Sequence, residues 1–550
     1  MKVLQVVHGF LPQFRGGTEL YLLGLARALR EQGHEVEIVT GTTFTAEVPV
    51  AEAYEHDGFR VHKIVLSGSY LEHWTRSLAP RATALFDELL ARIAPDVVHV
   101  QHWFRLSRAL IDTCAARGIP AVCTLHDLYT SCPRIFRIRD EKFCERTLSA
   151  QNCLSCVPRL PWMSDERTAA EIDLFREDFE NELALAGRII VPSKAHGEMI
   201  QRSITLPVER LRVLPHGTIT SLVTRPGDAA VARRLEPSGQ GPIRLGIWGH
   251  LFHMKGAHLL LEALKLLDPK CATKFRVHIW GEVVEPRYRR RLDDAAEGLD
   301  VTWHGAFLPN DIRKVELDLA VLPSLCSESY SFVLDEAFRL GLPAIVAERG
   351  ALAERIEGAG ATFQAESAES LAKVLGELAD DPSALARWRA AIPGLVAMSD
   401  HARDLAALYR EVIDEGPRRV QDARRLDHLR LQHLEKNQIE HERLMFGYLG
   451  HIKRETGRAD HFEGVCKEVI EDQHKIGAAR AAAERLADTE RSLRVSLQSK
   501  LEKLEASENA AVAARVESAA RRAQLNELEK RLESKDFLIA TLAEELRRFR

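Results

Sequence analysis

The sequence lacks several things that would define whole classes of protein. No stretch approaches the roughly 18–20 consecutive apolar residues of a membrane-spanning helix, so an integral helical membrane protein is not expected. A formal net charge of −5 over 550 residues argues against a nucleic-acid binder that relies on a strong overall positive field, and no nucleic-acid partner is expected. The opening segment MKVLQVVHGFLPQFRGG holds one Lys and a short apolar run. It lacks a long apolar segment followed by a small-residue cleavage site, and reads as a first strand instead of a signal peptide. Cysteine is sparse and odd in number, at nine. Reduced thiols in a cytosol are the expectation for such a chain.

Two further absences are local. All seven Trp precede Arg389, the last Pro is Pro417, and neither Gly nor Pro follows Gly477. These shifts separate a folded body, ending near residue 415, from a helical tail. Apolar residues make up 45% and charged residues 28%, a globular composition with something charge-rich attached. The length predicts two or three units.

The body alternates β-rich runs with amphipathic stretches. KVLQVV is followed by ELYLLGLARALREQG, which has helical spacing and a Gly stop, and then by EVEIVTG, DVVHVQH, AVCTLHD and RIIVPS. After the polar segment EPSGQGPIR the alternation restarts with LGIWGH, FRVHIWG, VTWHG, LAVLPS and AIVAE. Strands alternating with helices predict parallel sheets. Two such series predict an α/β fold of two Rossmann-like, doubly wound domains facing a cleft, with ligands beyond the carboxyl ends of the strands. The expected boundaries are residues 1–215 for the first domain, with a Cys-rich loop at 132–156, and 216–390 for the second. A closing helix and linker at 391–417 and a helical connector at 418–477 follow. Residues 478–550 complete the chain as a coiled coil. In that tail Leu525, Leu528, Leu532, Lys535, Ile539, Leu542, Leu546 and Phe549 alternate by three and four. The same phase runs back through Ala514, Ala511, Leu504, Leu497, Leu493 and Leu486, with Arg521, Ser518, Ser507, Lys500 and Glu490 as weak positions, which favours a left-handed coiled coil over a single solvated helix. Oligomerisation or partner binding is expected there.

Three strand-to-helix junctions hold residue types suited to binding an anionic ligand. In HGFLPQFRGGTELYLLGLARAL, Gly16 and Gly17 permit close backbone approach, and Thr18 is the expected helix cap. An ordinary turn would use the same residues. In LGIWGHLFHMKGAHLLLEALKLL, Gly249 ends a strand, and Lys255 and Gly256 precede a helix. A Lys so placed suits a phosphate, although most single Lys residues are solvated surface groups; His250 and His253 assist it or only bond the loop. In SESYSFVLDEAFRLGLP, Ser331 is the expected N-cap of a helix from Phe332 to Leu340, stopped by Gly341 and Pro343. Glu328 then sits in the loop and Glu336 inside the helix. Amides at the helix start, at Phe332 and Val333, suit a phosphate, and a carboxylate suits sugar or ribose hydroxyls. The bland reading is a helix with two exposed Glu.

Taken in order, GGTE at Gly16–Glu19, HD at His126–Asp127, VPS at Val191–Ser193, LPHGT at Leu214–Thr218, GHLFHMKG at Gly249–Gly256 and the E-x7-E pair Glu328/Glu336 resemble the retaining nucleotide-sugar glycosyltransferases of family 4, of two-Rossmann GT-B fold. The resemblance spans roughly residues 1–415. It implies that Lys255 contacts the donor diphosphate and Glu336 holds the ribose. Glu328 would lie near the transferred sugar, with the amides of Ser331, Phe332 and Val333 beside the phosphates. Gly16 and Gly17 would cover the diphosphate from the other domain, Gly249 and His250 would flank it, and His126 would lie at the reacting centre. It also implies retention of configuration and transfer without a required metal. The chain departs from the family at His250, where Arg is common, and at His216, where Asn is frequent.

HDLYTSCPRIFRIRDEKFCERTLSAQNCLSC places Cys132, Cys144, Cys153 and Cys156 in one loop. Four thiols at this spacing suit a structural zinc, with loose reduced thiols, disulfides or an iron–sulfur cluster as alternatives. Cys114 and Cys123 fall in apolar contexts and read as core.

The function expected is transfer of a sugar from a nucleotide diphosphate-sugar to a saccharide, lipid-linked or other hydroxyl acceptor, in glycan or cell-surface polysaccharide synthesis. Such an enzyme would work in the cytoplasm, at the inner face of the membrane through peripheral association. A nucleotide-sugar epimerase of similar fold, or a nucleotide-binding scaffold acting through the coiled coil, are the competing readings.

Overall fold

The computed structural model describes residues 1–67, 73–77, 79–160, 163–219, 241–283, 285–307 and 309–418. The coiled coil expected over 478–550 lies outside the described residues, as does the helical connector beyond Arg418.

The strands, in chain order, are β1 Lys2–Val7, β2 Glu35–Thr40, β3 Thr45–Ala46, β4 Val50–His56, β5 Phe59–Ser67, β6 Val97–Val100, β7 Ala121–Thr124, β8 Ile138–Arg139, β9 Lys142–Phe143, β10 Arg188–Val191, β11 Leu211–Val213, β12 Ile243–Trp248, β13 Phe275–Trp280, β14 Val301–Gly305, β15 Leu319–Leu322, β16 Ala344–Ala347 and β17 Gly360–Phe363. The first sheet runs β11-β10-β7-β6-β1-β2-β5-β3, with β4 antiparallel to β5; the second runs β14-β13-β12-β15-β16-β17. β8 and β9 form a separate hairpin.

The central strands are apolar without alternation because helices cover both sheet faces. β6, β7, β10, β15 and β16 are buried at every position. In each sheet the strand order reverses once beside the first strand, between β1 and β6 and between β12 and β15. In open α/β sheets such reversal points, beyond the carboxyl ends of the strands, are where ligands bind.

The helix Met398–Glu415 returns to the first half of the chain. Its buried face of Ala402, Leu405, Ala406, Tyr409 and Val412 packs with Val3, Tyr21, Leu22, Leu25 and Ile190. Inside that core the Tyr409 hydroxyl meets His99 Nδ1 at 2.6 Å and accepts from Gln5 Nε2 at 3.3 Å. Among the described residues no helix is long and apolar enough to cross a membrane.

Candidate active site

The exit of β12 and the exit of β15 meet at the second sheet's reversal point. Gly256 has φ +72°, and a Cβ there would lie 1.9 Å from the Pro323 carbonyl oxygen. Only glycine fits so close a backbone approach at that dihedral. This contact seats Lys255 beside the loop that follows β15. Lys255 Nζ donates to Glu328 Oε1 at 2.7 Å, and Ser324 Oγ donates to the same oxygen at 2.9 Å. The Cys326 thiol adds a third, longer contact at 3.6 Å. Burial works against both charges, but their mutual attraction reverses it. Lys255 is held above the ordinary lysine range, and Glu328 below the ordinary carboxylate range. Near neutral pH the pair is therefore fully ionised.

The loop then enters the helix Phe332–Arg339. Ser331 occupies the N-cap position as expected, but its hydroxyl makes no capping bond. Side chains reach first-turn amides from extended dihedrals, whereas Ser331 has φ 73° and ψ 91°. This corrects the capping role expected of that hydroxyl. Arg355 maintains the unusual backbone. Its Nη1 donates to the carbonyls of Tyr330 at 2.7 Å and Ser331 at 3.1 Å, its Nη2 pairs with Asp335, and its guanidinium lies 3.7 Å over the Tyr330 ring. The amides of Phe332 and Val333 have no intrahelical acceptor, the condition for receiving an anion. One turn into the helix, Glu336 Oε2 accepts from the Trp248 indole at 2.8 Å. Gly249, with φ +121°, lies against Val333, at 3.7 Å from the position of a Cβ. His250 beside it is exposed, with its ring 5.6 Å from that of Phe252.

The opposite wall comes from the first sheet. The helix Gly17–Glu31 starts with Gly16 at its N-cap, so Thr18 lies inside the first turn and is not the cap that the sequence suggests. The Glu19 side chain caps instead, accepting from the Gly16 amide at 2.8 Å. Without a side chain at Gly16, the carboxylate three residues on is the nearest available acceptor. Its other oxygen lies 3.2 Å from His8 Nε2, and burial holds Glu19 above the usual carboxylate range. A Cβ on Gly17 would stand 3.2 Å from the Phe332 ring. The N-terminal glycines and the start of the Phe332–Arg339 helix therefore face each other closely.

His126 leaves β7 at the same place. Its Nε2 is 2.6 Å from Gln101 Oε1, and its backbone carbonyl accepts from Ser329 Oγ. Burial, with the neighbouring His102, pushes His126 down to about 3, so its ring is neutral under ordinary conditions. Asp127 lies 3.1 Å from His102 Nε2. Burial alone would raise this carboxyl, but the His102 charge and hydrogen bond bring it to about 2. His216 stacks between His126, at 4.9 Å, and Phe332, at 5.5 Å, and burial depresses it strongly. Its carbonyl accepts from Tyr330 Oη at 2.8 Å. The His216 ring thus joins the two walls.

Other cross-links were not visible in the sequence. Ser193 Oγ donates to the Ser329 carbonyl at 2.8 Å. Glu354 accepts from the amides of Lys194 and Ala195 at 3.1 and 2.7 Å, capping the helix Lys194–Ser203 from the other half of the body. Ser324 and Trp248, which fasten the two acids of the E-x7-E pair, carry no sequence signal either. Trp248 was identifiable as the strand residue before Gly249, but no local pattern shows that its indole reaches Glu336.

Cys132, Cys144, Cys153 and Cys156 are free thiols, all half-buried. Burial pushes Cys132 up to about 11, and the charges of Cys153 and Cys156 act on it in the same direction. Arg146 and Arg137 overcome burial at Cys144 and hold it below the usual thiol range. Arg137 Nε donates to the Cys144 carbonyl at 2.8 Å and Arg134 Nη1 to the Cys156 carbonyl at 3.0 Å. Among the described residues, the trio with ligand atoms mutually within 4.8 Å is Glu141, His253 and His258, and it contains none of these thiols.

Comparison with known proteins agrees with this architecture. The family model Glycosyltransferase Family 4 matches residues 15–222, and Glycosyl transferases group 1 matches residues 242–381. The chain is 26% identical over 435 residues to a D-inositol 3-phosphate glycosyltransferase of Salinispora tropica, covering 74% of this chain and 83% of that protein. It is 24% identical over 440 residues to the enzyme of the same name from Stackebrandtia nassauensis, covering 74% and 90%. Among solved structures, sucrose-phosphate synthase from Thermosynechococcus elongatus superposes with a TM-score of 0.55 at 19% identity, covering 76% of this chain and all of that one. Two parallel-sheet domains in this order, matched by both family models, place the chain among the family 4 glycosyltransferases, enzymes of the GT-B fold.

Proposed function

We propose that this glycosyltransferase takes its sugar from a nucleotide diphosphate-sugar and passes it, with retention, to a saccharide, lipid-linked or other hydroxyl acceptor in glycan or cell-surface polysaccharide synthesis. The observation that carries this reading is the ionised Lys255–Glu328 pair at the second sheet's reversal point, with Glu328 four residues before a helix start whose first amides have no intrahelical acceptor.

Breaking the sugar–phosphate bond builds negative charge on the leaving diphosphate. Lys255 and the amides of Ser331, Phe332 and Val333 stabilise that charge, while Gly16, Gly17 and Gly249 let backbone come close to it. His250 flanks the diphosphate where family members commonly have Arg. Lys255 is shared between Glu328 and the phosphates, and Glu328 addresses the transferred sugar. Glu336, fixed by the Trp248 indole, accepts from the ribose hydroxyls. His126 is neutral, and serves the reacting centre as a hydrogen-bonding group, not as a positive charge.

The four thiols suit a structural zinc in kind, since zinc binds sulfur and replaces the proton of each ligating thiol. No three of these thiols lie within 4.8 Å of one another, so an ion would have to draw the arginine-braced loop together around it. Metal analysis of the purified, folded protein tests this. The cytoplasm, with peripheral contact at the inner membrane face, is the proposed place of action. The transfer reading is tested by incubating the protein with a panel of nucleotide diphosphate-sugars and following release of the nucleoside diphosphate. Release dependent on Lys255 supports it, and no release from any donor counts against it.

A further inference from the structure

Three side chains with metal-ligating chemistry converge beside the turn that carries Lys255, apart from the Lys255–Glu328 pair. Glu141 occupies the tip of the β8–β9 hairpin, with φ +64°. His253 lies in the turn after β12, two residues before Lys255. His258 is the second residue of the helix Ala257–Leu266. One ligand atom from each lies within 4.8 Å of the other two. His253 Nε2 stands 2.9 Å from Glu141 Oε1, yet this buried nitrogen makes no hydrogen bond of proper geometry. The two imidazoles are parallel, with centroids 5.3 Å apart and planes 6° apart. The Tyr288 hydroxyl meets His258 Nδ1 at 3.1 Å, the kind of outer bond that fixes the orientation of a ligating imidazole.

We propose that Glu141, His253 and His258 bind a divalent transition cation of the zinc type. Two imidazoles, borderline donors, beside one carboxylate favour such an ion over calcium or magnesium, which prefer all-oxygen shells. Three protein ligands leave a fourth position for water. In the present arrangement Arg291 holds Glu141, and its Nη2 also donates to Glu262 Oε1 at 2.9 Å. A bound cation takes the place of the guanidinium at Glu141, and Arg291 keeps Glu262 as its partner. The ligand atoms already lie within 4.8 Å of one another, and around a tetrahedral ion with bonds of about 2.0–2.1 Å they would settle about 3.4 Å apart. That movement ties the hairpin from the first half of the chain to the turn that carries Lys255. The ion thereby links the placement of the diphosphate lysine to the Cys-containing loop.

The test is a Co²⁺ titration of the full chain, followed by absorption, with melting curves on the same samples. Thiolate ligands give sulfur-to-cobalt charge-transfer bands, and a site of imidazole and carboxylate does not, so the proposed site is distinguishable from the four cysteines. The expected result is an equivalent of cobalt bound without thiolate bands, together with metal-induced stabilisation. Glu141→Gln and His253→Gln should each weaken this binding by at least about tenfold, and Tyr288→Phe by about tenfold through the outer bond. Metal-free melting curves establish that the variants fold. Tyr288→Phe, which retains all three ligands, decides the matter if a ligand variant does not fold. Absence of cobalt binding, thiolate bands from all bound cobalt, or unchanged affinity in the folded variants overturns the proposal.

Discussion

Lys255 and Glu328 are 73 residues apart in sequence and 2.7 Å apart in space, joined across the point where the second sheet reverses its strand order. Ser324 fastens the same carboxylate oxygen. The pair has a defined pH window. Glu328 is depressed, so its contribution to stability is present above the ordinary carboxylate value of about 4.3 and is lost as pH falls through its lower folded value. Lys255 is raised, so its contribution is present below the ordinary lysine value of about 10.4 and is lost as pH rises through its higher folded value. Glu328→Gln is expected to lower stability by about 1 kcal/mol at neutral pH, a modest figure because the Lys255 side chain is part-exposed and water screens the pair. Denaturant melts of both proteins from pH 3 to pH 9 check this. The gap should be constant from about pH 5 to pH 9 and narrow below about pH 4.

His126 is held near 3 by burial, far from the usual histidine value of about 6.5. His126→Gln is therefore expected to slow turnover through the lost ring without changing the shape of the pH–rate curve between pH 5 and pH 8. An inflection present in the parent enzyme and missing from the variant would show that His126 titrates in that range.

Trp248 donates to Glu336 at 2.8 Å. Trp248→Phe should raise the donor KM about tenfold and leave kcat nearly unchanged, because a ribose contact is made equally in the ground and transition states. Steady-state kinetics with the donor varied separate the two constants.

Ser331 adopts φ 73° at the entrance of the helix, which costs an L residue about 1–3 kcal/mol. Ser331→Gly removes that strain but adds freedom to the unfolded chain, so a Tm equal to or above that of the parent is expected. Ser331→Val should lower stability by at least about 1 kcal/mol and reduce turnover, since the β-branched side chain resists positive φ. Calorimetry with a single-donor assay covers both.

Both sheets and the three anion-suited junctions were legible because each is a local pattern. Uninterrupted apolar runs mark strands covered on both faces, and the E-x7-E interval marks passage from a loop into a helix. Lys255 could be singled out by its place before Gly256. What stayed hidden depends on chain crossings. The Glu354 cap on the Lys194–Ser203 helix joins residues about 160 positions apart, and the Trp248–Glu336 bond spans 88. Thr18 differs from its expected capping role for another reason. Thr is a good cap by type, but Glu19 reaches the Gly16 amide from inside the helix, and that competition is decided by side-chain length and burial. Ser331 shows the same limit, since residue type marks the cap position and cannot show a positive φ at a turn whose carbonyls Arg355 binds.

The central claim is that Lys255 and Glu336 hold the two ends of a nucleotide diphosphate, with Lys255 acting where charge develops. Measuring donor turnover and donor-induced thermal stabilisation together, in the parent, Lys255→Ala and Glu336→Ala, tests it most directly. The expected result is a fall in turnover of about 10²–10³ for Lys255→Ala. Donor-induced stabilisation should also diminish in both variants, with fold and basal melting retained. Undiminished turnover in both variants would contradict the assignment.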